Sequence, residues 1–137
     1  MSYILEPEVP GELGEQTIID NSVHPPIVLY LHFVFKGWMG DDLVECFPVF
    51  LISGYLSERL SNSDLTGFKI NSCKIEYSKE FQILHPKGPI PQFYWLSITG
   101  DDKADFFVSK DFRLTVSEKA FLIVKEFRLD FCDMRKI

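Results

Sequence analysis

The strongest constraint in this chain is a pattern of local signals that occurs twice, 64 residues apart. In the first occurrence Phe50-Leu-Ile-Ser53 reads as a short apolar strand. Ser53 to Asn62 follows with Leu56 and Leu60 at helical spacing, and Gly67-Phe-Lys-Ile70 opens another strand. In the second, Leu114-Thr-Val-Ser117 is a strand and Ser117 to Glu126 carries Ala120 and Val124 at that same spacing. Phe127-Arg-Leu-Asp-Phe131 then alternates apolar and charged residues, as a half-buried strand does. The shift lays Ser53 on Ser117, Leu56 on Ala120 and Leu60 on Val124. Both serines stand where a side-chain oxygen caps the free N–H groups of a helix start. The expected fold is α+β: a single domain over 1–137, with a mixed β-sheet, two β-α-β-like units and short helices packed on it.

The remaining segments fill in around these units. Ile27 to Phe35 (IVLYLHFVF) is rich in β-branched and aromatic residues and largely apolar on both faces. That predicts one interior strand, with a nine-residue buried helix as the alternative. Lys36 to Gly40 is a turn, and Asp42-Leu-Val-Glu45 has the D-x-x-E form of a capping box. It predicts a single helical turn, ended by Pro48. Ser78 is placed to cap a short helix over Lys79–Leu84, and Gln92 to Thr99 is a strand by composition. Residues 1–26 contain Pro7, Pro10, Pro25, Pro26, Gly11 and Gly14, and read as an irregular acidic lead-in. Short extended pieces are expected within it at Tyr3–Leu5 and Thr17–Ile19.

Charge narrows the range of partners. The chain carries a formal −6, and the excess lies in its first half: residues 1–62 sum to −7 and residues 63–137 to +1. Nucleic acid and anionic membrane surfaces both require a clustered positive face, so neither is an expected partner. An acidic half suits solubility or a cationic protein partner. The N-terminus, MSYILEPEVPGELG, has neither a basic n-region nor an apolar h-region, so no signal peptide is expected. No apolar run is long enough to span a bilayer. Cys46, Cys73 and Cys132 lack paired spacing and are expected as free thiols of a cytoplasmic protein.

Templates for chemistry fail in turn. No phosphate-cradling glycine loop and no dinucleotide fingerprint occurs. Ser53 follows a strand and precedes a helix, as a nucleophile elbow would, but Leu51 and Tyr55 occupy the flanking positions that such a turn gives to glycine. His24, His32 and His85 have no metal-ligand spacing. No catalytic residue, metal or cofactor is therefore expected. Paired acids at Asp41-Asp42, and at Asp101-Asp102 with Asp105, read as solvated turn acids or partner contacts. Trp38 lies beside the first pair, and large aromatics flanked by charge are enriched at interface centres.

The segments GWMGDDL, FPVFLISGYLSERL and FYWLSITGDDKADFFVSKDFRLTVSEKAFLIV resemble small bacterial immunity proteins that neutralise polymorphic or contact-delivered toxins. The likeness spans roughly residues 28–128, and Leu114-x-Val116-Ser117-Glu118-x-Ala120 carries most of it. It implies a cytosolic, non-enzymatic inhibitor that masks a toxin's active surface, and it transfers no catalytic residue. The expected partner is a basic toxin domain. Candidate contacts are Trp38, Asp41, Asp42, Glu45, Asp101, Asp102 and Asp105. The alternative is an enzyme or small-ligand protein whose pocket is lined by Phe and Tyr.

Overall fold

Three serines set the helix starts. Ser53, Ser78 and Ser117 each hold extended backbone, and each side-chain oxygen accepts the N–H three residues on, from Leu56, Phe81 and Ala120. That bond satisfies one of the donors a helix start leaves free. A computed structural model describes residues 1–86, 88 and 90–137. In chain order its elements are β1 (Ser2–Glu6), β2 (Gly11–Leu13), β3 (Ile18–Asp20), β4 (Ile27–Tyr30), β5 (His32–Phe35), β6 (Leu43–Cys46), β7 (Val49–Ser53), α1 (Gly54–Ser61), β8 (Phe68–Asn71), β9 (Lys74–Tyr77), α2 (Lys79–Leu84), β10 (Phe93–Ile98), β11 (Phe106–Val108), β12 (Leu114–Ser117), α3 (Glu118–Val124) and β13 (Asp133–Lys136). The fold is α+β, as expected.

The repeat extends well beyond the serines. One four-stranded sheet has the order β6-β7-β10-β8 and another the order β11-β12-β1-β13. Within the first, β7 and β8 are both antiparallel to β10. They therefore run parallel to each other, joined by α1, with β10 inserted between them. In the second sheet β12, α3 and β13 are arranged in the same way around β1. The registers agree residue by residue. Leu51, Trp95 and Asn71 lie side by side in the first sheet; Thr115, Ile4 and Arg135 do so in the second. Thr115 and Arg135 each stand 64 positions after Leu51 and Asn71. The middle strand departs from this offset: it follows β8 in the first unit and comes from the chain's N-terminus in the second. The termini therefore meet, and the Ile137 N–H donates to the Ser2 carbonyl at 2.9 Å.

Between the two sheets lies a core whose members pair off under the same shift. Phe50 matches Leu114, Ile52 matches Val116, Leu56 matches Ala120, Leu60 matches Val124 and Leu65 matches Leu129, all buried in one cluster. Burying side chains of this size stabilises by roughly 1.5–3 kcal/mol each. The outer face of the first sheet supports a second core. Val44, Val49, Leu51 and Phe93 pack there against Leu31, Phe33, Phe35 and Phe81. These come from a lobe built of α2 and the three-stranded sheet β2-β5-β9.

Four local expectations are corrected. Residues 1–26 are not an irregular lead-in, because β1 is an interior strand of its sheet and β2 pairs with β5. The run 27–35 is two strands rather than one. It breaks at Leu31, where the chain passes from pairing with β3 to pairing with β2 and β9, and the Thr17 hydroxyl clamps the His32 backbone there. Residues 42–45 form no helical turn. A lone turn fixes several dihedrals for one hydrogen bond, whereas β6 gains a full ladder with β7. Residues 127–131 are not a strand, since acidic side chains take up their backbone donors; β13 begins at Asp133.

Candidate protein-binding surface

The acids singled out by the sequence fall into two groups, and most serve the fold. Asp42 Oδ1 accepts the Ser53 hydroxyl at 2.6 Å, and its Oδ2 accepts the Arg128 N–H at 2.9 Å. Asp105 does the same in the second unit. Its Oδ1 accepts the Ser117 hydroxyl at 2.7 Å and its Oδ2 the Thr66 N–H at 2.9 Å. Each unit's aspartate thus ties its own cap serine to the segment that leaves the other unit's helix. Gly67, at φ 97°, lets the chain turn beside the Asp105 loop, where a Cβ would lie 2.2 Å from the Phe106 carbonyl oxygen. Burial pushes the Asp105 carboxyl up, but hydrogen bonds from Ser117 and Thr66 together outweigh it, and the net shift is downward.

Asp41 is fully buried and accepts the N–H groups of Asp130 and Phe131 at 3.0 and 2.8 Å. Desolvation outweighs those two bonds and raises its pKa. Glu45 is half-buried near Cys132, and burial pushes it up from 4.5 to about 7. Trp38 donates its indole N–H to the Asp41 carbonyl at 2.8 Å and meets Phe93 edge to face. Asp41 and Asp42 are therefore not solvated turn acids, and neither offers a carboxylate to a partner. Trp38 and Glu45 are half-buried beside them, and Asp105 is bound to Ser117 and Thr66. Of these candidate acids only Asp101 and Asp102 stand in solvent.

Ser53 is fully buried, and its hydroxyl is used by Asp42 and by the helix cap. Burial pushes the Cys73 thiol up to about 11 and the Cys132 thiol up to about 12, away from the thiolate a nucleophile needs. His32 is buried. Its Nδ1 accepts the Gln16 N–H at 3.2 Å, and its Nε2 lies 2.8 Å from Glu76 Oε1, off the line of a good hydrogen bond. His85 lies against the Phe81 ring in the lobe. Among the described residues no three His, Cys, Asp or Glu side chains converge as metal ligands do, and no helix is long and apolar enough to cross a membrane.

The surface feature that sequence reasoning missed is the β3–β4 arm. These two strands pair only with each other among the described residues, so each keeps a free edge. Leu29 is 65% exposed, Ile18 55%, Ile27 50%, Val23 45% and Tyr30 43%. Residues 15–30 also hold Glu15 and Asp20 and no Lys or Arg. Ser22 hydrogen-bonds the Asp20 carboxylate through both its N–H and its hydroxyl, which lowers that pKa and keeps the charge on the arm. The signal in the sequence was the run apolar on both faces. It cannot distinguish a strand covered twice from one covered once.

No protein-family model matches this chain, and no curated protein or solved structure is significantly similar to it.

Proposed function

We propose that this protein is a non-enzymatic binding protein, an inhibitor of the immunity-protein kind, which neutralises a basic toxin domain by covering its working surface. Contact is made through the β3–β4 arm and not through the aspartates at 41 and 42. The observation that carries the reading is a set of five apolar residues, each more than 40% exposed, on an acidic arm without Lys or Arg. Protein interfaces combine an apolar, aromatic centre with a charged rim, and an isolated patch of this kind otherwise favours aggregation. An acidic rim also speeds encounter with a basic protein.

The test is site-specific photo-crosslinking in the source cell, with the crosslinker at Leu29 or Tyr30 and, separately, at Asp102. The expected product is one basic protein captured from positions 29 and 30 and absent from 102. A partner captured only from 102, or one that is itself acidic, would overturn the assignment.

A further inference from the structure

A cavity of about 260 Å³ opens at the turn end of the arm, where Pro25, Pro26, Ile27 and Val28 line it, and the protein-binding reading does not account for it. It lies where the turns of the two hairpins, β6–β7 and β11–β12, approach the second half of β10, Trp95 to Ile98. Pro48, Val49, Trp95, Val108 and Phe112 contribute to its wall. Phe47 and Phe112 meet edge to face with centroids 4.6 Å apart, which ties the two turns together beside it. Two features define what it can hold. No side chain in its lining is ionisable, so a charged guest would lose its hydration without compensation. Ser97 supplies the one side-chain hydroxyl in the lining, on the same face of β10 as Trp95. Size sets the third limit. A dry apolar cavity of about 150 Å³ is enough for benzene, so 260 Å³ admits a substituted single ring or an indole.

We infer that this cavity binds a neutral, ring-sized aromatic group carrying one hydrogen-bonding substituent, which faces Ser97. A phenol and an indole both have that chemistry. Such a ring can arrive as a free small molecule or as the Tyr or Trp side chain of another protein, and a titration distinguishes the two sources. The inference is independent of the arm's role, because none of its measurements needs the arm's partner.

The Trp95 indole N–H is followed by NMR while the intact protein is titrated with p-cresol, indole, N-acetyl-tyrosinamide and N-acetyl-tryptophanamide. Saturable shifts are expected with half-saturation on the order of 1 mM for ligands of about eight non-hydrogen atoms. The ionised analogue p-hydroxybenzoate should bind at least about tenfold more weakly. Ser97→Ala should weaken p-cresol about fivefold and leave toluene, which has no hydroxyl, unchanged. Ile27 lines the mouth and is half-exposed, so Ile27→Trp should fold and abolish binding. Binding of the free rings alone assigns a small-molecule site, and binding of the capped amides as well assigns a side-chain socket. The inference is overturned by shifts that do not saturate, by shifts that survive Ile27→Trp, or by equal affinity for the ionised analogue.

Discussion

The two units share one architecture and differ in what covers their outer faces. In the first, residues 7–41, 72–86 and 90–92 build a lobe over the sheet, and the positions beneath it are Val49, Leu51 and Phe93. In the second, the same places hold Arg113, Thr115 and Ser2. Arg113 pairs there with Glu6 at the surface. The inner faces remain apolar in both, because both look into the shared core. Inner positions therefore report the repeat, and outer positions report what each copy has been fitted to carry. The elaborated copy also carries the arm, so the binding surface proposed here belongs to the half that departed furthest from the common pattern.

The aspartate ties test whether the units are equivalent in energy as well as in shape. Asp42 is buried while Asp105 is half-exposed. Removing Asp42 leaves the Ser53 hydroxyl and the Arg128 N–H without their acceptor inside the protein, and charged hydrogen bonds contribute about 1.5–3 kcal/mol each. Asp42→Ala should therefore cost about 3–5 kcal/mol, and Asp105→Ala about 1–2 kcal/mol because water can replace the lost acceptor. Urea unfolding measures both. Equal costs would show that burial does not distinguish the two ties.

The helix faces give the next largest effects. Leu56→Ala and Leu60→Ala should each cost about 2–5 kcal/mol, since both side chains are 1% exposed in the shared core. Val124→Ala removes fewer atoms and should cost about 1–3 kcal/mol. Ala120→Leu asks the second unit to accept what the first holds at the matching place, and overpacking there should cost about 1–3 kcal/mol. Tolerance within about 0.5 kcal/mol at Leu60 or Val124, the behaviour of a surface site, would break the correspondence.

What could be read from the sequence was local. Cap serines and helical spacing act within four residues, so Ser53, Ser78, Ser117 and the helices after them were legible, and so was the shift that relates two of them. The places of the middle strands were not: Gln92 to Thr99 reads as a strand and Tyr3–Leu5 as extended, but nothing in either says which two strands it lies between. The aspartates were misread for the same reason. Asp42 meets Arg128 across 86 positions and Asp105 meets Thr66 across 39. An acid next to a glycine turn has the same sequence whether water or a distant backbone N–H donates to its carboxylate. The arm was hidden differently: IVLY is as apolar as HFVF, yet only the second segment has a lobe around it.

Glu45 offers the smallest effect, and it separates the units by pH. Its counterpart in the second unit is Val108, as Glu45 faces Phe50 and Val108 faces Leu114 in matching hairpins. The carboxyl lies near the thiols of Cys46 and Cys132, and the Glu45 N–H donates to the Glu8 carbonyl. Burial holds its folded pKa at about 7 against 4.5 for the free side chain. A raised carboxyl pKa means that the folded state keeps a proton the unfolded state releases, so stability is fully present below 4.5 and is lost as pH rises through about 7. Partial exposure lets water relieve part of that loss, so the slope should be shallow. Glu45→Gln keeps the shape, removes the titration, and should flatten the urea midpoint between pH 5 and pH 8. The three histidines remain in the variant, so the difference between the two curves belongs to Glu45 alone. Asp41 and Glu8, whose pKa values are also raised by burial, contribute in the same direction in both proteins and cancel from that difference. Parallel curves for wild type and Glu45→Gln would place the carboxylate in solvent and remove this distinction between the halves.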